Sequence, residues 1–299
     1  MNLLTLTLLC SPDAMASDLA MTAPLVALQE PEASAEQEGE KEKPKKKKFA
    51  RLKSPDKKKV AAAMRLIEKN EEEEDVAEGV AQLIAIGEAA IPSCMDAVKR
   101  MDGVGMLEPL WQVLDTLLLE DDLDLAWGLL KKKSPDVLRV YLVRRYADSK
   151  LEEVEVFLKE QLANENPDLA YEAARGLALR GDASVVAVIE QQVAQFWLED
   201  ADRLRADFAG VERGALSAEL LPLLQRKHTK EKLAALRMVE LFGTAEQCKL
   251  MLPFLSESDT TMRLAAINVC RVILDGEAPL KRPSMTEIIE RAEAWKAKL

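Results

Sequence analysis

Residues 166–182 read "NPDLAYEAARGLALRGD". Asn166 suits a helix N-cap, because its side-chain oxygen can accept an orphan amide hydrogen bond. Pro167 suits the first turn, where its missing N–H costs nothing, and Asp168 complements the helix dipole. Leu169, Ala173 and Leu177 then lie on one face, with the aliphatic stem of Arg180 extending it. Gly181 and Asp182 close the helix. The same start signal, Ser-Pro-Asp, occurs at 54 and 134.

The whole phrase recurs. Residues 166–181 align with 228–243, "HTKEKLAALRMVELFG", at an offset of 62, which is twice 31. Residues 229–242 align with 260–273, "TTMRLAAINVCRVI", at an offset of 31. Backward, "SPDVLRVYLVRRYADS" begins at 134, an offset of 32. The grid predicts further units near 72, 103 and 197; in the first, Gly87 falls where Gly181 does. Each unit follows one grammar: a helix with Leu or Ala at 3–4-residue spacing, a short turn, then a second helix such as "ASVVAVIEQQVAQF" or "AEQCKLMLPFL". One such hairpin cannot bury both of its apolar faces, so it must stack on neighbours. The expected fold is all-α: an α-solenoid of about seven helical hairpins, preceded by a capping helix over 55–70.

Composition agrees. The chain has 299 residues, 48% hydrophobic but only 4% aromatic, and Gly is scarce. A β-sandwich wants aromatics, β-branched residues and Gly turns, whereas good helix formers dominate here.

"IGEAAIPSCMDAV", 86–98, resembles the Gly-x-Ala-Ala-Ile-Pro junction of HEAT repeats. "NPDLAYEAARGLALRGDASVVAVIEQ" resembles the HEAT-like repeats also seen in phycobilisome lyase subunits. The resemblance covers about 72–290. It implies a helical-repeat fold and is almost silent on function.

Three segments are expected: a candidate signal peptide or leader over 1–28, a disordered acidic-then-basic linker over 29–53, and the solenoid over 54–299. "LLTLTLL" at 3–9 is a short apolar run, and "AMA" at 14–16 offers a small-x-small cleavage site, with a second end near "PLVALQ" at 24–29. The leader lacks a basic start, so a cytoplasmic leader is the alternative to an exported or envelope-associated protein. Leu9 before Cys10 argues against a lipoprotein anchor. Residues 41–59 hold eleven Lys or Arg against two acids, which is +9 within a chain of −11 and leaves −20 for the rest. So acidic a body is poorly suited to a nucleic-acid cleft, including that of the HEAT-like DNA glycosylases. The basic arm itself reads as a solvated linker, as a binder of anionic surface, polymer or nucleic acid through Lys45, Lys46, Lys47, Lys48 and Arg51, or as a segment folding back on the acidic body.

Little points to catalysis. The chain has one histidine, His228, at the position equivalent to Asn166, and it reads as a helix start. A HEAT-repeat hydroxylase resembling deoxyhypusine hydroxylase would need several His-Glu pairs. "SPDK" at 54–57 matches Ser-x-x-Lys but lacks its partner motifs and opens a helix. No Walker loop, GxSxG or HExxH occurs. No enzyme activity, cofactor, metal or small-molecule substrate is expected. Cys94, Cys248 and Cys270 read as buried, unpaired thiols; a Cys248–Cys270 pair in an oxidising compartment is the alternative, which spacing does not decide.

The expected function is capture of a protein or peptide by a monomer, in a curved groove lined by successive second helices. Arg144, Arg175 and Arg237 occupy equivalent places and would form a ladder for acidic groups or phosphate, with Trp127 and Tyr141 as further candidate contacts. The plainer reading of the ladder is a solvated face paired with neighbouring Glu. An accessory factor for an enzyme or chromophore system is the alternative that the lyase resemblance implies.

Overall fold

The computed structural model describes residues 47–69, 72–101 and 107–299. The leader, Cys10 and most of the linker lie outside the described residues. Fourteen α-helices and no strand occur among them.

The first helix, α1 (Ser54–Lys69), buries Val60, Ala63, Met64 and Ile67, one stripe at 3–4-residue spacing. That stripe faces α2 (Glu73–Ile86). Gly87, with φ +81°, ends α2 and turns the chain through 112° into α3 (Ile91–Met101). A side chain resists that backbone conformation, which is why the turn carries Gly. Gly181, at φ +78°, ends α8 (Pro167–Ala178) in the same left-handed region. Gly243, the third member of the aligned set, does not: its φ is −70°, and a Cβ there would meet the Val239 carbonyl at 2.5 Å. Glycine serves one turn by its dihedral freedom and the other by its lack of bulk.

The remaining helices follow in chain order. After α2 and α3 follow α4 (Glu108–Leu117) with α5 (Leu123–Gly128), and α6 (Asp136–Asp148) with α7 (Val154–Leu162). Then come α8 with the first half of α9 (Val186–Asp207), the second half of α9 with α10 (Ser217–Leu224), and α11 (Thr229–Phe242) with α12 (Leu252–Leu255). Last stand α13 (Thr260–Cys270), which widens into a π-helical turn over Arg271–Asp275, and α14 (Met285–Lys298). Helix α6 packs on α8, α8 on α9, α9 on α11, α11 on α13 and α13 on α14. One hydrophobic core runs from Val60 to Trp295.

Two expectations need adjusting. The unit boundary near 197 has no loop: α9 runs straight through, and only Asp200 (φ −124°, ψ 23°) leaves helical geometry. "QFWLEDADRL" offers no Gly or Pro to stop a helix, so the join is a kink. Helix α8 was expected to bury a stripe, yet every residue from Leu169 to Ala178 is buried, Glu172 and Arg175 included. Helices α6, α7 and α9 surround it. The start signals behave as capping chemistry dictates at Asn166, whose Oδ1 accepts the amides of Asp168 and Leu169 at 2.9 and 3.4 Å. Ser134 instead accepts the Lys131 amide at 2.9 Å, closing the turn before α6.

Residues 47–53 of the linker lie against the helical body. Phe49 and Leu52 are half-buried on the core, and the Lys47 ammonium pairs with Asp122, whose side chain is 3% exposed. That carboxylate raises the Lys47 pKa through their hydrogen bond.

Candidate functional site

A groove of about 680 Å³ opens where α4, α6 and α8 meet. Trp111 of α4 stacks on Tyr141 of α6, ring centroids 4.5 Å apart and planes 16° from parallel. Polar contacts fix this platform. The Tyr141 hydroxyl donates to Asp115 Oδ1 at 2.9 Å, and Arg145 Nη1 donates to the same oxygen at 2.8 Å. The other Arg145 nitrogen reaches the Leu118 carbonyl at 2.7 Å. Burial and the Asp115 hydrogen bond push the Tyr141 phenol above its ordinary range, so it stays protonated.

The two arginines beside the platform differ. Arg175 is buried, with Nε on Glu172 at 2.8 Å, Nη1 on Asp148 at 2.7 Å and Nη2 on the Arg144 carbonyl at 3.3 Å. Every part of its fork is occupied. Arg144 is exposed, and its guanidinium makes no hydrogen bond or ion pair with any described residue. Charge at the rim is therefore an unpaired cation beside an aromatic step, with Glu108, Glu120 and Asp148 around it.

Arg237 is not a third rung here. It lies in α11, on a second cavity of about 510 Å³ formed with α9 and α13. Trp127 stands apart again, in an aromatic cluster with Phe157 at 4.9 Å and Tyr146 at 6.3 Å. Of the arm residues, Lys45 and Lys46 lie outside the described residues, Lys47 is paired with Asp122, and Lys48 and Arg51 are exposed. The groove lining also departs from expectation. It comes from the first helices α4, α6 and α8, with no residue of α5 or α7.

His228 sits at the N-cap position of α11 without a side-chain capping bond. Among the described residues, no three His, Cys, Asp or Glu are grouped to hold a metal ion. Cys94, Cys248 and Cys270 are buried and free. Cys248 Sγ donates to the Thr244 carbonyl at 3.8 Å, and the neighbouring Cys248 and Cys270 thiols shift one another, Cys248 down and Cys270 up. No single described helix is long and apolar enough to cross a membrane.

The Trp111–Tyr141 stack was not anticipated. Its two residues are 30 apart, close to one repeat, and that spacing was the available signal. Asp115, Arg145 and Trp197 carried no pattern that would single them out.

No family model matches this chain, and neither does any curated protein or solved structure.

Proposed function

We propose that this chain is a HEAT-like α-solenoid that binds a peptide segment of another protein, without catalysing a reaction, in an exported or envelope setting. What supports the solenoid reading is the succession of helix pairs at a spacing near 31 residues, each packed on the next. Stacked hairpins of this kind give extended surfaces with several modest contacts. The observation that carries the binding reading is the exposed, unpaired Arg144 beside the rigid Trp111–Tyr141 step. An aromatic platform and a free arginine are the side chains that most often dominate protein interfaces. The preferred segment is acidic with an aromatic or aliphatic neighbour, since the guanidinium pairs with carboxylates and the stack offers apolar area.

A photo-crosslinking amino acid placed at Val140, on the groove, tests this in the native cells. A discrete crosslinked protein is expected there and not from Val156, an exposed residue of α7. Arg144→Glu should suppress it. Equal labelling from both positions, or none from the groove, would sink the proposal.

A second reading rests on the exposed Lys48 and Arg51. These would hold an anionic polymer by counterion release, giving a steep salt dependence. Lys48→Glu with Arg51→Glu tests it without disturbing Lys47, Phe49 or Leu52. Loss of binding to heparin in that double variant supports it, and unchanged binding removes it.

A further inference from the structure

Arg237 sits in the second half of α11 with only 7% of its surface exposed, and it lines the 510 Å³ cavity. Its guanidinium makes no hydrogen bond or ion pair with any described residue. The nearby acid, Glu240, is engaged elsewhere: Arg205 Nε and Nη2 both lie 2.8 Å from its Oε1. Of the other cations around the cavity, Arg282 is exposed and without an ion pair among the described residues, whereas two are paired. Arg203 meets Asp200 at 3.2 Å, and Lys281 meets Asp202 at 2.6 Å. The Arg237 nitrogens are not among the fully enclosed unpartnered atoms, so the guanidinium faces the open cavity, where a ligand can reach it.

The surroundings are shaped. The Arg237 guanidinium carbon lies 5.5 Å from the centroid of the Trp197 ring, and that of Arg205 lies 4.8 Å from the same ring. Leu233, Leu264 and Ala265 supply an apolar wall. A strap over Pro279–Arg282 covers one side. Asn268 of α13 pins it, accepting the Leu280 amide at 2.8 Å and donating to the Leu280 carbonyl at 3.2 Å. The volume falls within the range of small-ligand sites, roughly 300–1,000 Å³.

We infer that this cavity binds a carboxylate carried on an apolar body, with Arg237 as the anchoring cation. The planar fork of a guanidinium matches a carboxylate through two parallel hydrogen bonds. Arg237, the buried one of the unpaired cations, compensates one negative charge. A phosphate dianion would bring a second charge toward Glu240, Asp200 and Asp202. Trp197, Leu233 and Leu264 receive the apolar portion. Burial lowers the Arg237 pKa to about 10, which leaves the side chain a cation at neutral pH. A peptide C-terminus and a small organic acid share this chemistry. The site is separate from the groove at Arg144, so the two stand or fall independently.

Calorimetric titration of the full-length protein with sodium hexanoate, with hexan-1-ol, and with N-acetyl-Ala-Leu-Leu in free-acid and C-terminally amidated forms tests the site. Saturable hexanoate binding is expected, with hexanol at least about tenfold weaker. Arg237→Met should weaken carboxylate binding by at least about tenfold. Tighter binding of the free-acid peptide than of hexanoate assigns the site to chain termini; hexanoate binding alone assigns it to small acids. The inference is overturned if neither carboxylate binds saturably, if the amide binds as well as the acid, or if binding survives Arg237→Met. Should that variant not fold, Leu233→Trp fills the cavity from its half-buried edge and leaves Arg237 in place. Hexanoate binding must then be lost, and its retention overturns the site equally.

Discussion

Arg144 and Arg175 stand one repeat apart and carry the same guanidinium, yet only Arg175 is tied into the fold. Its Nε bond satisfies Glu172, a carboxylate that burial already pushes above its ordinary pKa, and its Nη1 bond reaches Asp148. Arg175→Ala strands that buried acid, and breaking such a pair typically costs about 3–5 kcal/mol. Urea unfolding should register a loss at the lower end of this range. Arg144→Ala removes an exposed, unpaired group and should stay within about 0.5 kcal/mol. Arg237 behaves oppositely. Burial lowers its pKa from the ordinary guanidinium range to about 10, so the native guanidinium releases its proton more readily than the unfolded one. The resulting destabilisation is fully present below about pH 10 and fades as pH rises through that value toward the ordinary guanidinium range. Arg237→Met should therefore raise stability by about 2 kcal/mol, and by a constant amount between roughly pH 6 and 9. A decrease in unfolding free energy, or a gain varying across that window, would contradict the sign. At Cys94, burial pushes the thiol up to about 12. Thiol reagents should consume it only under denaturing conditions.

At the scale of elements, Gly176 decides how closely α8 approaches α6. A Cβ there would meet Ala147 Cα and Cβ at 2.7 Å and Leu158 Cδ1 at 2.8 Å. Alanine favours a helix over glycine by about 0.5–1 kcal/mol. Overpacking against a backbone atom costs about 1–3 kcal/mol, so the clash wins. Gly176→Ala is expected to lower stability, and a higher melting temperature would show that α6 and α8 part freely. The C-terminal ends of these helices are also tied by Arg180. It donates to the Ala147 and Gly176 carbonyls at 3.1 and 2.7 Å and to the Ser149 carbonyl as well. The stem expected to extend an apolar stripe thus also carries a clamp for otherwise unpaired carbonyls. The cap at Asn166 was legible from residue type alone, and Asn166→Ala should cost about 1 kcal/mol.

At the scale of the whole molecule, the described part of the basic arm meets the acidic body at Asp122. Lys47 reaches Asp122, and Phe49 and Leu52 rest on the core. A chain beginning at Lys47 should melt higher than one beginning at Ser54, because two half-buried apolar side chains contribute about 2 kcal/mol. For a body of this size that is a shift of roughly 4–8 °C. Coincident melting curves would show that the segment contributes nothing to the fold.

Helical character and some of the helix starts and turn glycines depend on short stretches, and the sequence alone determined those. Asn166, Gly87 and Gly181 are read correctly because their reasons lie within a few neighbouring residues: an orphan amide to cap, or a backbone angle to adopt. The pairing of side chains is settled by chain segments far apart in sequence. Arg144, Arg175 and Arg237 are equivalent in register. Only tertiary packing places acids on both sides of Arg175, leaves Arg144 in water and sets Arg237 in the wall of an open cavity without a protein partner. Periodicity specifies which face of a helix a residue occupies; the charge and burial it meets there come from the neighbouring helices.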